Sequence, residues 1–222
     1  RTMKKLLLAS VAGTMVAAAA HAEDIKMGIG VGATGPLESI APAIQKGAET
    51  AMKEVGDSGK LLDGTTVTPV VYDTTCTDAA AAVAAAERVV TAEGVKGIMG
   101  GMCSGETIAT LERVAVPNGV VMISPSATSP ALSTIDDKGF FFRTSPSDAR
   151  QGEVMADIVL ERGVQSVAVT YTNNDYGKGL ADSFANSYKE KGGSVTMVAA
   201  HDDGKADYSA EVAALAAAGG DA

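Results

Sequence analysis

Histidine is almost absent from this sequence, which contains only His21 and His201. A Ser-His-Asp arrangement would therefore depend on His201 alone, and neither a G-x-S-x-G motif nor a Walker phosphate-binding loop occurs. The shortage of histidine and the absence of C-x-x-C also argue against a metal site. We therefore expect a protein that is not an enzyme and that holds neither a cofactor nor a metal ion.

Basic residues are also in short supply. The sequence has 18 Lys and Arg against 27 Asp and Glu, and without residues 1–22 only 15 basic residues remain, which gives a net charge of −12. An acidic surface argues against nucleic acids and anionic membranes as partners.

Only one long apolar run occurs, and it lies at the start of the chain. Two lysines precede the run, and Ala20-His21-Ala22 has the spacing of a cleavage site. The run is shorter than the roughly 20 residues that a membrane span needs. We therefore expect residues 1–22 to be a secretory signal peptide and the exported chain to begin at Glu23.

The chain has just two cysteines, Cys76 and Cys103, and each follows a predicted strand. They are therefore expected on loops at the same edge of a sheet. An even number of cysteines in an exported chain favours a disulfide. Two unpaired thiols remain the alternative at this point.

Apolar strand patterns alternate with helical patterns along the whole exported segment. This alternation predicts an α/β fold in which helices cover both faces of a parallel sheet. Pro117 predicts the end of one helix, and we expect a boundary between two lobes near Arg143-Thr144. The predicted strands are 25–31, 66–72, 95–99, 119–123, 140–143, 166–171 and 194–200, and the predicted helices are 42–55, 78–92, 104–115, 149–161, 178–190 and 208–218.

A glycine motif, residues 30–35, matches the dinucleotide-binding pattern G-x-G-x-x-G. However, Pro36 follows the last glycine, and Asp73 lies far more than the usual 20 residues further on. We expect these glycines to allow tight turns and close approach of the backbone to a ligand. An exported nucleotide-binding protein or enzyme on a similar sheet remains the alternative.

The segment Ser124–Pro130, directly after the predicted strand 119–123, contains four hydroxyl residues and two prolines. In open α/β sheets, ligands bind outside the carboxyl ends of the strands. Prolines stiffen such a loop, and hydroxyls beside free backbone N–H groups suit a small polar ligand. The alternative is a turn in which Ser129 caps a short helix that begins with Pro130.

Several motifs occur together in one order after the signal peptide: Thr34-Gly35-Pro36, Cys76, Gly100–Ser104, Ser124–Thr128, Phe142-Arg143-Thr144 and Asp175–Gly179. In this order they resemble the periplasmic substrate-binding proteins of branched-chain amino acid ABC transporters, the leucine/isoleucine/valine-binding family. The resemblance implies two doubly wound parallel-sheet lobes joined by a hinge, the type I periplasmic binding fold. Residues 23–143 would form the first lobe, and residues 144–222 would form an incomplete second lobe, so that the chain is an N-terminal fragment.

The same resemblance implies the roles of individual residues. Ser104 and the Thr128 N–H would bind the carboxylate of an amino acid. The Ser126 carbonyl, the Thr128 hydroxyl and Asp148 would face its ammonium group. The site set comprises Ser104, Ser126, Ala127, Thr128, Asp148 and Tyr176, the last of which would cover the ligand from the second lobe, and the family's disulfide would join Cys76 to Cys103.

The family also implies a monomer in the periplasm that delivers a small-molecule ligand to the membrane permease of an ABC importer. Each site residue has a plainer interpretation as well: Ser104 as a helix N-cap, Asp148 with Gln151 as a capping box, and Tyr176 as a surface aromatic. Leu37–Ile40 stands where branched-chain receptors commonly have an aromatic residue. The pocket for the ligand side chain therefore differs, and an amide or aromatic-acid ligand remains open.

Overall fold

A computed structural model describes residues 23–61 and 64–222. The predicted signal peptide, residues 1–22, lies outside the described residues. Among the helices of the described part, none combines the length and the hydropathy needed to cross a membrane.

Strands and helices alternate along the described chain, as the sequence predicts. Three short helical segments depart from the regular pattern: the π-helical turn Leu111–Ala115, the helical turn α4 (Val116–Asn118) and the 3-10 turn Pro130–Ser133. The remaining elements are β1 (Asp24–Val31), α1 (Ala41–Asp57), β2 (Thr66–Asp73), α2 (Ala79–Thr91), β3 (Gly97–Met99), α3 (Ser104–Thr110), β4 (Val121–Ser124), β5 (Phe141–Arg143), α5 (Asp148–Glu161), β6 (Ser166–Thr172), α6 (Asp175–Glu190), β7 (Ser194–His201) and α7 (Ser209–Ala218).

The strands form two separate sheets. Five parallel strands make the first sheet in the order β2-β1-β3-β4-β5, and β6 and β7 pair in parallel in the second. Because β1 lies inside the first sheet, the chain adds strands first on one side of it and then on the other. The change of direction leaves a crevice at the carboxyl ends of the strands, where α/β proteins bind ligands. The predicted α/β class is confirmed.

Helices cover the two faces of the first sheet unequally. One face packs Ile98, Met122 and Phe141 against α2, α3 and the π-helical turn. On the opposite face, α1 covers only the region around Ile29. The same face continues to Phe142 on β5, which is 55% exposed. The expectation that helices cover both faces therefore holds around β1 but is wrong at β4 and β5 among the described residues.

The helix that begins at Ser104 continues through Pro117, so the prediction that Pro117 ends it is wrong. In the π-helical turn, the Val116 N–H donates to the Leu111 carbonyl, and a new helical turn starts at Val116. Pro117 then stands in a first turn, where no backbone N–H is needed. The helix ends at Gly119, whose φ of 65° lies in the left-handed region.

The second sheet has a core of its own. Ala156 from α5 and Tyr188 from α6 pack with Val167 of β6. We call the five-stranded sheet with its helices the first unit, and the two-stranded sheet with α5, α6 and α7 the second unit. Helix α6 also contacts α3 and the 3-10 turn of the first unit, where Asp175 and Gly179 lie against Gly105 and Pro130. The amino-terminal end of α6 is therefore positioned beside the loops at the edge of the five-stranded sheet.

Candidate functional site

The carboxyl ends of β3, β4 and β5 meet at one edge of the five-stranded sheet. The loops that leave these strands are residues 100–103, 125–129 and 144–147. The five predicted site residues of this edge lie on these loops or on the residue that follows: Ser104, Ser126, Ala127, Thr128 and Asp148. The fold therefore brings together residues that are up to 44 positions apart.

Ser104 is the first residue of α3, and it is only 2% exposed. Cys103 precedes it as the N-cap, so the interpretation of Ser104 as the cap is wrong. Its hydroxyl oxygen accepts a 3.1 Å hydrogen bond from the Ser129 N–H. A serine hydroxyl can donate one hydrogen bond and accept two. The O–H of Ser104 is therefore free to donate to a ligand atom.

Serine hydroxyls tie the loop after β4 to the loop after β3. The Ser124 hydroxyl donates to the Gly101 carbonyl at 2.6 Å and accepts from the Ala127 N–H at 2.9 Å. The Ser126 hydroxyl donates to the Met102 carbonyl at 2.8 Å. These bonds fix the backbone of both loops, and the side chain of Ala127 is completely buried in the core on the α2 and α3 face of the sheet.

Thr128 and Asp148 form a two-way hydrogen-bonded pair. The Thr128 hydroxyl donates to the Asp148 carboxylate at 2.7 Å, and the Asp148 N–H donates to the Thr128 carbonyl at 2.9 Å. Asp148 is only 1% exposed. The hydroxyl that caps α5 belongs to Ser147, so the interpretation of Asp148 as a capping residue is wrong. Oxygen lone pairs of both Thr128 and Asp148 can still accept hydrogen bonds from a cation.

Arg143 is a site residue to which the sequence patterns assigned no role. Its guanidinium donates to the carbonyls of Ala127 at 3.3 Å and Ser129 at 2.9 Å, and it also contacts the Ser133 hydroxyl. Partial burial lowers the pKa of the guanidinium, while the nearby Asp148 carboxylate raises it. Arg143 therefore clamps the loop after β4 and supplies a positive charge beside Asp148. Its position in the motif Phe142-Arg143-Thr144 was the available signal.

The predicted capping role of Ser129 is present as well. Its hydroxyl accepts from the Ala131 N–H at the start of the 3-10 turn, which begins with Pro130. The segment can therefore be both a turn and part of a ligand site. The cap uses only the side chain of Ser129, and the other hydroxyls of the segment bond to the neighbouring loops.

Tyr176 lies on α6, at the end of the helix that contacts the first unit. The Asp175 carboxylate approaches Gly105, and Gly179 lies against Ser129 and Pro130. Tyr176 itself is 43% exposed. The structure thus places the turn that carries Tyr176 next to the segments that carry Ser104 and Thr128.

A disulfide joins Cys76 to Cys103, with 5.3 Å between their Cα atoms. The bridge connects the loop after β2 with the loop after β3, which agrees with the expected pairing. Ser104 directly follows Cys103, so the bridge restrains the segment that presents the Ser104 hydroxyl.

Glu106 is a second residue that the sequence patterns left without a role. It lies on the first turn of α3 and is only 2% exposed. Burial raises the pKa of its carboxyl group to about 7, although the Cys103 and Met102 N–H donors and the nearby Thr74 and Thr107 hydroxyls lower it. A carboxyl group of this kind changes its charge close to neutral pH.

The chain is similar in sequence to proteins of a known family. The family described as receptor family ligand binding region matches residues 43–217. Leu/Ile/Val-binding protein homolog 1 of Brucella melitensis biotype 1 is 34% identical, in an alignment that covers 98% of this chain and 58% of that protein.

Two solved structures share the fold. The leucine binding protein LivK of Thermotoga maritima has a TM-score of 0.78 at 29% identity, over 89% of this chain and 54% of that one. The branched-chain amino acid transporter substrate binding protein LivJ of Streptococcus pneumoniae, in complex with isoleucine, has a TM-score of 0.72 at 30% identity, over 87% of this chain and 54% of that one. This chain thus spans between half and two thirds of the length of these similar proteins.

Proposed function

This chain belongs to the family described as receptor family ligand binding region and has the type I periplasmic binding fold, and we propose that it captures an amino acid for an ABC importer. In this proposal residues 23–143 form the first lobe, and residues 144–222 belong to the second. The protein is exported to the periplasm, acts as a monomer, and binds a small or apolar α-amino acid without changing it chemically. It then delivers the ligand to the membrane permease.

The observation that carries the proposal is the separation of donors from acceptors at the edge of the sheet. Ser104 offers an O–H donor on one side, while Thr128 and Asp148 offer oxygen acceptors on the other. An α-amino acid has the matching pattern, since its carboxylate accepts hydrogen bonds and its ammonium group donates them. In the proposed complex the Ser104 O–H and the Thr128 N–H bind the carboxylate.

The ammonium group would then meet Asp148, the Thr128 hydroxyl oxygen and the Ser126 carbonyl. A buried carboxylate such as Asp148 is costly without a positive partner. Arg143 lies close enough for the two charges to interact, and it therefore compensates part of the negative charge of Asp148. A ligand ammonium group would compensate the rest through charge-assisted hydrogen bonds. Tyr176 would cover the ligand when the lobes close, which would exclude water from these contacts.

The comparisons support the same class of ligand. A relative at 34% identity is named for leucine, isoleucine and valine, and a solved structure at 30% identity contains isoleucine. Leu37–Ile40 differs from the aromatic pattern expected after the Gly-Pro turn, so the ligand side chain is the part of this proposal that needs a screen.

A thermal-shift screen of the protein in its natural length would test the proposal. The panel contains α-amino acids with small and apolar side chains, their amides, their keto acids and aromatic acids. We expect the amino acids to raise the melting temperature most. Stabilisation by keto acids but not by amino acids would contradict the ammonium site, and chemical turnover of a bound ligand would favour the alternative of an exported enzyme.

A further inference from the structure

The Glu106 carboxyl group lies beneath the loop that leads to Ser104. Its Oε1 atom accepts hydrogen bonds from the Met102 N–H at 2.9 Å and the Cys103 N–H at 3.0 Å. A Cβ atom on Gly101 would lie 1.9 Å from its Oε2 atom, so only glycine lets the backbone pass here. The loop that presents Ser104 is therefore shaped around this carboxyl group.

The surroundings of Glu106 contain polar groups but no compensating positive charge. Tyr72 and Thr74 from β2 and the following loop lie near it, and the Thr107 hydroxyl, which donates to the Cys103 carbonyl, lies 3.4 Å from its Oε2 atom. Burial, and secondly the charge of Glu106, raise the pKa of the Tyr72 phenol. In residues 23–61 and 64–222, no Lys, Arg or His side chain pairs with Glu106.

We infer that Glu106 is a positioning residue of the ligand site, and that it takes up a proton when an amino acid binds. The inference rests on the proposed function, because it needs a ligand carboxylate at Ser104, two residues before Glu106. An ionised Glu106 and the ligand carboxylate would then be two anions on one short segment, since Glu106 accepts from the Cys103 N–H and Ser104 is the next residue. Closure of the lobes would also remove water from around the ligand carboxylate, which strengthens the repulsion between the two negative charges. Both effects favour the neutral form of the Glu106 carboxyl group.

The direction of the pH effect follows from these two causes. Binding raises the pKa of Glu106 above its value of about 7 in the free protein. Affinity is therefore highest where Glu106 is protonated in both states, and it falls as the pH rises past 7. A rise in the pKa of about one on binding corresponds to an affinity loss of about tenfold between slightly acidic and slightly alkaline pH.

Two substitutions separate the charge of Glu106 from its hydrogen bonds. Glu106→Gln keeps a side-chain oxygen for the Met102 and Cys103 N–H groups but cannot ionise, so its affinity should not depend on pH. Glu106→Ala removes both hydrogen bonds and should bind more weakly at every pH. Glu112→Gln is the matched control, because it removes an exposed charge from the same helical segment.

Calorimetric titration with L-leucine, on the protein in its natural length, tests the inference directly. Titrations near pH 7 in two buffers of different ionisation enthalpy measure how many protons are taken up for each ligand bound. We expect the wild type and Glu112→Gln to take up a fraction of one proton, and Glu106→Gln to take up none.

The failures of the two proposals are distinguishable. Leucine binding by the wild type without proton uptake, or equal uptake by Glu106→Gln, would overturn the role of Glu106 and leave the proposed function intact. If the wild type does not bind leucine, the titration uses the amino acid that raises the melting temperature most in the thermal-shift panel. A protein that binds none of these amino acids would overturn the proposed capture of an amino acid, and the inference about Glu106 with it.

Discussion

The Thr128 hydroxyl donates a 2.7 Å hydrogen bond to Asp148, and the Asp148 N–H returns one to the Thr128 carbonyl at 2.9 Å. This pair links the loop after β4 to the first turn of α5. It thereby joins the five-stranded sheet to the helix that leads into the second unit. The residues proposed to hold the ammonium group thus also connect the two units.

Replacement of Thr128 should therefore weaken ligand binding. Thr128→Ala removes the hydrogen bond to buried Asp148 and one acceptor for the ammonium group, at a cost of about 1–3 kcal/mol. Calorimetric titration would measure the loss. Thr91→Ala, at an exposed position on α2, is the control and should leave the affinity unchanged. Equal affinity of Thr128→Ala and the wild type would show that this hydroxyl does not contribute to the site.

Arg143 should matter for stability and binding together. Arg143→Gln loses the charged hydrogen bonds to the carbonyls of Ala127 and Ser129. Bonds to charged groups contribute about 1.5–3 kcal/mol each, so urea unfolding should show a clear loss of stability. Combination with Asp148→Asn should cost less than the sum of the two single changes, because each single change leaves the other charge without its partner. Strictly additive losses would contradict the proposed coupling of the two charges.

The disulfide between Cys76 and Cys103 should be complete in exported protein. Titration of unfolded, unreduced protein should find no free thiol, and two free thiols would contradict the pairing. The cysteines are 27 positions apart, so the chain-entropy model gives a stabilisation of about 3–4 kcal/mol. A Cys76→Ser/Cys103→Ser variant should lose stability on that scale, as measured by urea unfolding without reductant.

Glu106 should make the stability of the fold depend on pH. Its pKa is about 7 in the folded state against 4.5 as the reference value, so the folded state binds more protons between these two values. Its contribution to stability is therefore greatest below pH 4.5 and is lost as the pH rises through 7. Glu106→Gln removes this dependence, and relative to the wild type it should gain about 1–3 kcal/mol between the two pH limits.

Urea unfolding of both proteins from pH 4.5 to pH 8 measures that gain, because the contributions of other titrating groups cancel in the comparison. A difference in unfolding free energy that stays constant over this range would contradict the burial of an ionisable Glu106.

The sequence was sufficient to predict the parts of the fold that depend on local patterns. Alternating strands and helices predicted the parallel sheet, and the placement of Cys76 and Cys103 after two strands of that sheet predicted their common edge. The burial of Glu106 depends on residues that the fold brings close to it, such as Tyr72, which is more than 30 positions away and whose pKa the charge of Glu106 raises. No periodicity in the sequence indicates such a contact.

Two errors have equally physical reasons. Pro117 is usually a sign of a helix end, but a π-helical turn restarts the hydrogen-bond pattern just before it. The apolar pattern of β4 and β5 predicts burial on both sides, yet a strand pattern does not specify which element covers each face. Phe142 therefore remains exposed among the described residues.

Calorimetric titration of the protein in its natural length with L-leucine and with its keto acid shows whether the site recognises the ammonium group of an amino acid. The two compounds share the side chain and the carboxylate, and they differ at the group that would meet Thr128 and Asp148. We expect leucine to bind and the keto acid to bind at least tenfold more weakly, since about 1.4 kcal/mol corresponds to a factor of ten. Equal affinity for the two compounds, or a preference for the keto acid, would contradict an amino-acid site at this edge of the sheet.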